Sequence, residues 1–190
     1  MKKDEKLQIT KDKLTEAAYA LMKECTDPSE VTSRAIADRA DVRLSMINYC
    51  FGSREALLFE AARKDEEEYK KKLGINDVMG SDLPPKEMFR KLHYTVADYF
   101  LNSYKFTRAL TGYVLLNRDL DLGLGSLPLV SAHYGDRKEE WEKKLISYQL
   151  SSMTQLLIYR IEDMSKFLGK DVRKEIHKII DLQIDLMLED

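Results

Sequence analysis

The sequence predicts an all-α protein built from a small N-terminal helical unit and a larger helical one, and three observations lead there. Apolar residues recur at i, i+3, i+4 and i+7 along most of the chain, strand-like alternation is almost absent, and Gly, Asn, Asp and Pro gather in a few short tracts between the periodic runs. With 190 residues, 34% of them charged and 44% hydrophobic, the chain is long enough for two such units and too apolar to be disordered.

Leu14, Ala17, Ala18, Leu21 and Met22 line one face of a first helix from about Thr10 to Glu24, which Asp27-Pro28-Ser29 ends. Thr32 or Ser33 caps a short second helix that runs to Ala40 with Ile36, Ala37 and Ala40 turned inward. A third helix covers Arg43 to Cys50 and closes at Phe51-Gly52, where glycine tolerates the left-handed backbone. Ser53 caps a fourth, a connector striped by Leu58, Ala62, Tyr69 and Leu73, with a charged, solvated run from Arg63 to Lys72. Gly74 to Pro85 reads as a loop, and Pro85 suits a first helical position. Met88, Phe89, Leu92, Val96, Tyr99 and Phe100 mark the next helix; Phe106, Ala109, Leu110, Tyr113 and Val114 mark another after Asn102-Ser103. The stretch from Asp119 to Pro128 breaks helix.

A long helix is expected from Asp136 to Leu168, and a last one after the Asp171 cap. The first carries Trp141, Leu145, Tyr148, Ser152, Leu156 and Tyr159 on one side and Leu157, Ile161, Met164 and Leu168 on another. In the last, Val172, Ile176, Ile179, Ile180, Ile184, Met187 and Leu188 also spread over more than one face. Helices this widely apolar need partners on both sides, and a second subunit is the natural supplier, so a homodimer is expected.

Several function classes find no support. Cys25 and Cys50 lack CxxC spacing, and His93, His133 and His177 are far apart, so neither a disulfide framework nor a metal site is expected. No HExxH, GxSxG, P-loop or dinucleotide fingerprint occurs, and the expectation is no enzyme and no cofactor. The opening MKKDEKLQIT has no apolar run behind its lysines, and no long uncharged apolar stretch follows, so a cytoplasmic protein without membrane contact is expected. A net charge of −2 gives nucleic-acid binding no overall support, but between Thr32 and Arg54 four arginines (Arg34, Arg39, Arg43, Arg54) face only Asp38 and Asp41.

Two short helices joined by a tight turn, the second with a polar outer face, form the pattern of a DNA-reading helix-turn-helix, here spanning about residues 32–51. Ile36, Ala40, Val42, Ile47 and Phe51 supply the inner contacts, while Ser45, Asn48 and Tyr49 fall at i, i+3 and i+4 on the other side of the third helix. Asn pairs bidentately with adenine, hydroxyls reach bases or phosphates, and Leu44 or Met46 suits a thymine methyl. Thr32, Ser33, Arg34 and Arg43 lie where helix N-termini meet phosphate, and Arg54 opens the fourth helix at a position suited to a backbone phosphate. Cys50 reads as a small half-buried hydrophobe rather than a redox switch.

The run VTSRAIADRADVRLSMINYCFGSREALLFEA, residues 31–61, resembles the signature of the TetR family of transcription regulators. The matching positions are Thr32, Ile36, Ala37, Ala40, Val42, Ile47, Tyr49, Phe51, Gly52, Ser53, Arg54, Glu55, Leu57 and Leu58. The sequence departs from that pattern at Asp41, where the family has a turn glycine, at Cys50, where it has His or Tyr, and at Arg43-Leu44, where a Ser-Lys pair is commoner. The resemblance covers the first third of the chain. It implies a homodimer that binds a roughly palindromic double-stranded DNA operator, with a small-molecule effector pocket in the C-terminal part and repression as the usual outcome.

On this reading residues 1–54 form the DNA-binding domain and 55–190 the effector-binding and dimerisation domain. Phe89, Phe100, Tyr104, Tyr113, Trp141 and Tyr148 are the candidate pocket walls, although core packing accounts for such residues as well. The competing reading is a helical ligand-binding or adaptor protein whose helix-turn-helix is vestigial.

Overall fold

A computed structural model describes residues 3–25, 27–64, 71, 74–102, 104–117, 120 and 125–189, with the side chains of residues 3, 75, 104, 105 and 107 excepted. Every regular element among them is helical, so the chain is all-α. It divides into two compact units, Met1–Glu67 and Glu68–Asp190.

The first unit contains α1 (Lys3–Glu24), α2 (Ser33–Ala40), α3 (Ser45–Phe51) and α4 (Arg54–Arg63). α1 begins seven residues before the expected Thr10, since Asp4 and Glu5 in its first turn complement the helix dipole and Gln8 bonds Asp12 one turn on at 2.8 Å. Leu14, Ala17 and Ala18 of α1 meet Ile36, Ala37 and Ala40 of α2, Ile47 of α3, and Leu57, Leu58 and Ala61 of α4 in a buried core. On α4 the inward face is therefore Leu57, Leu58 and Ala61 rather than the expected Leu58 and Ala62, and Ala62 is exposed. Tyr69 and Leu73 of the expected stripe lie outside the described residues. Because α4 packs on α1 and α3, the unit extends past the boundary expected at residue 54.

Asp41 ends α2 with φ 52° and ψ 51°, in the left-handed region, and its N–H donates to the Asp38 carbonyl at 3.3 Å. A β-carbon there costs about 1 kcal/mol, which a short polar side chain only partly relieves. Asp41→Gly is expected to raise the urea midpoint by the equivalent of about 1 kcal/mol, and Asp41→Val to lower it.

The second unit contains α5 (Ile75–Met79), α6 (Pro85–Asn102), α7 (Tyr104–Asn117), α8 (Leu127–Tyr134), a 3-10 turn at Gly135–Arg137, α9 (Glu140–Tyr159), α10 (Ile161–Leu168) and α11 (Val172–Met187). Four of these differ from expectation. α5 occupies part of the stretch read as loop. α8 starts at Leu127, within the end of the stretch expected to break helix, because Pro128 is at home in the first turn of a helix, and it buries Leu129, Val130 and Tyr134. The expected long helix is broken at Arg160 (φ −103°, ψ 23°) into α9 and α10, with neither glycine nor proline at the break. α9 begins with a capping box between Glu139 and Glu142, and the Asp171 side chain caps α11 by accepting from Lys174 N–H.

The core of this unit joins α6, α8, α9 and α11 around Phe89, Ala97, Val130, Leu150, Ile158, Ile176, Ile180 and Ile184. Tyr134 Oη donates to the Met187 carbonyl at 2.6 Å and fastens α8 to the end of α11. Arg90 of α6 donates to Asp181 and, at 2.8 Å, to Asp185 of α11. Tyr94 Oη also donates to Asp181, and burial pushes its pKa up to about 12. No helix among the described residues is long and apolar enough to cross a membrane.

Candidate nucleic-acid interface

The turn between α2 and α3 is fixed by local chemistry. Thr32 accepts from Ala35 N–H at 3.1 Å at the start of α2. At its end Val42 N–H returns to the Ala37 carbonyl at 3.0 Å, the bond that turns the chain toward α3. α3 opens two residues later than expected, at Ser45, after a tightened turn in which Met46 N–H bonds the Arg43 carbonyl at 2.9 Å and Ile47 N–H the Leu44 carbonyl at 3.2 Å. Gly52, at φ 80°, closes α3 with its N–H on the Asn48 carbonyl at 2.9 Å.

Ile47 is 1% exposed and anchors the back of α3, with Phe51 half-buried beside it. The opposite face carries Ser45, Asn48 and Tyr49, all exposed, with Leu44 just before it. Leu44 is 50% and Tyr49 64% exposed, so two large apolar surfaces flank the polar pair in water. Neither Ser45 nor Asn48 makes a side-chain hydrogen bond to a described residue.

Four arginines contribute to the local charge surplus, and their partners separate them. Arg39 forms a two-pronged ion pair with Glu24 of α1, with Nη2 to Oε1 at 2.7 Å; Glu24's carboxyl is held below its ordinary range by that hydrogen bond. Arg54 donates Nε to the Val31 carbonyl at 2.6 Å, Nη2 to the Pro28 carbonyl and Nη1 to Glu55. Each of the three guanidinium nitrogens of Arg54 thus makes a contact within the protein, and together they clasp the loop before α2. Arg34 and Arg43 are exposed and form no ion pair among the described residues. Thr32 is occupied as a cap through its hydroxyl but stays exposed, and Ser33 is half-buried.

The uncommitted groups are therefore Arg34, Arg43, Ser45, Asn48 and Tyr49, with Leu44 among them, all carried on α2, α3 and the turn that joins them. Cys50 is a half-buried free thiol; burial pushes its pKa up, against the smaller opposing effect of Lys11. Comparison with family models, with curated proteins and with solved structures gave no match to this chain.

The six residues expected to wall a ligand pocket are not alike in the structure. Phe89 is fully buried and stacks on His93, which makes it a core residue. Phe100 packs against the same core, and Tyr113 and Tyr148 are half-buried. Trp141 is 61% exposed at the first turn of α9, its Nε1 donating to Glu139 at 2.8 Å. The Tyr104 side chain lies outside the described residues. The buried polar residues of this unit, His93, Thr111, Ser126, Ser147 and Thr154, were not among the expected site residues. The only sequence signal for them is a hydroxyl or imidazole at an inward position of an amphipathic helix. No group of three or more His, Cys, Asp or Glu side chains among the described residues is arranged to hold a metal ion.

Proposed function

We propose that the chain is a transcription regulator of the TetR type, in which α2, the turn and α3 form a helix-turn-helix and α3 enters the major groove of DNA. The observation that carries the reading is the set of uncommitted groups on one short helix and its approach: Ser45, Asn48 and Tyr49 exposed over a back face anchored by Ile47, with Arg34 and Arg43 free to meet phosphate. A helix presented for packing alone has no use for an Asn and a Ser that find no partner among the described residues and stand exposed with a neighbouring Leu and Tyr.

The regulator works as a homodimer on a roughly palindromic operator. Support for a second copy comes from the outer faces of α9, α10 and α11, which leave Leu145, Leu156, Phe167, Leu182 and Leu186 between 45% and 82% exposed. A small-molecule effector held by the second unit changes DNA affinity by favouring one spacing of the two reading heads, as a ligand can only when it binds the two states unequally. Repression is the usual sense of such a switch.

Asn48→Ala combined with Tyr49→Ala tests the reading by gel shift on the DNA flanking the protein's own gene. The expected result is a loss of specific affinity of about 100-fold, since each base or sugar contact contributes on the order of 1–3 kcal/mol. Circular dichroism and sedimentation of the variant are expected to match the parent. Unchanged affinity would remove these residues from the reading face, and uniform binding to any sequence would defeat the specific regulator.

A further inference from the structure

The helix α3, SMINYCF, contains no Lys, Arg, Asp or Glu, and its exposed face carries no ionised side chain. Leu44, Ser45, Asn48 and Tyr49 make up that face, with the hydroxyl of Ser45 and the amide of Asn48 unpaired among the described residues. Leu44 has helical backbone angles, φ −50° and ψ −38°, so it stands one turn before Asn48 on the same side. The two exposed arginines that form no ion pair among the described residues lie outside the helix. Arg43 is in the turn ahead of it, and Arg34 is on α2, the element that crosses the DNA backbone in a helix-turn-helix.

That composition selects among bases. In the major groove guanine presents two acceptors, O6 and N7, which a two-pronged cation reads, and cytosine presents an amino donor, which a carboxylate reads. α3 has neither group. Adenine presents an acceptor beside a donor, which the two ends of the Asn48 amide match, and thymine presents a methyl group, which suits the hydrocarbon of Leu44. A cytosine under Leu44 would press an amino group against that hydrocarbon and leave a donor with neither water nor partner. The hydroxyls of Ser45 and Tyr49 both give and accept hydrogen bonds, so they add affinity and little discrimination. Four residues span about 6 Å along a helix, against roughly 3.4 Å between stacked bases, so Leu44 and Asn48 address different base pairs.

We infer that α3 reads A·T pairs: Asn48 takes an adenine through N6 and N7, and Leu44 takes the methyl group of a thymine in a neighbouring pair. The inference rests on the major-groove reading above and gives the contacted centre of each half-site a base composition.

Selection of duplexes from a random pool by the intact chain, followed by base-analogue scanning of one selected half-site, tests it. The most constrained positions of the half-site are expected to be A·T pairs. Deoxyuridine in place of thymine removes only the methyl group, and at one position is expected to weaken binding about fourfold. 7-Deazaadenine in place of adenine removes only the N7 acceptor, and at a neighbouring position is expected to weaken it about fivefold. Leu44→Ser should abolish the deoxyuridine penalty and keep the other; Asn48→Ala should do the reverse. Leu44 is the N-cap of α3 and makes no capping bond, and serine is favoured there, so the first variant keeps its helix. Constrained positions that are G·C, or analogue penalties that persist unchanged in both variants, would overturn the assignment and leave a sequence-specific regulator standing. A pool in which no sequence is enriched would remove the regulator reading together with it.

Discussion

Replacing Arg54 by Met is expected to destabilise the chain by about 3 kcal/mol, because two backbone carbonyls lose a charged donor and neither gains another. The side chain reaches from the first turn of α4 to the carbonyls of Val31 and Pro28, 23 and 26 residues earlier in sequence. Val31 is fully buried, and Thr32, which follows it, caps α2. Holding this loop therefore sets where α2 begins, and through the α2–α3 turn where α3 lies. Arg54→Lys is expected to recover less than half of the loss, since an ammonium cannot span two carbonyls and a carboxylate as a planar guanidinium does. Urea unfolding of the three proteins measures the effect. A phosphate-binding arginine would behave in the opposite way: its removal would leave the urea midpoint unchanged and lower DNA affinity for all sequences, with a salt dependence shallower by about one unit.

Arg54 also illustrates which parts of this protein can be read from sequence. The α2–turn–α3 pair was legible because its determinants are local: the Thr32 cap, the inward Ile36, Ala37 and Ala40, and the i, i+3, i+4 spacing of Ser45, Asn48 and Tyr49 all lie within one or two helical turns. Arg54 has the same side chain as Arg34 and Arg43, and only distant backbone carbonyls decide that it is a clasp while those two form no ion pair among the described residues. For the same reason Arg39 could not be told from the others until α1 brought Glu24 beside it.

In the second unit the periodicity gave the helices but not their interruptions. Pro128 signals either a break or a first turn, and burial of Leu129, Val130 and Tyr134 decides for the turn. The bend at Arg160 has no glycine or proline to announce it; the backbone there is fixed by Arg160 N–H on the Leu156 carbonyl at 3.0 Å and Met164 N–H on the Arg160 carbonyl at 2.8 Å. Aromatic residues at helical spacing fit a core and a pocket wall equally well. Phe89 and Trp141, one sealed and the other mostly in water, carry the same pattern in sequence and differ only in what packs against them. The polar pair His93 and Thr154, 61 residues apart, is likewise created by the packing of α6 on α9.

That pair leads to the second large effect, a loss of stability on mild acidification. Burial lowers the His93 pKa from the ordinary 6.5 to about 4. Between those two values the unfolded chain binds a proton that the folded chain refuses, so acidification favours unfolding. The contribution is fully present above pH 6.5, falls by about 1.4 kcal/mol per pH unit below it, and is lost by the time the folded group itself titrates, for a total of about 3 kcal/mol. Glu24, Asp171, Glu175 and Asp185 have carboxyl pKa values held below the ordinary range by hydrogen bonds and neighbouring cations. Their contributions are lost only at lower pH, as the medium falls through those depressed values, which leaves the upper part of the window to His93. Urea unfolding at steps from pH 7 to 4.5 is expected to show this slope in the parent and a much flatter profile in His93→Phe, which has no proton to take up. A variant profile as steep as the parent's would mean that the buried imidazole is not the group being titrated.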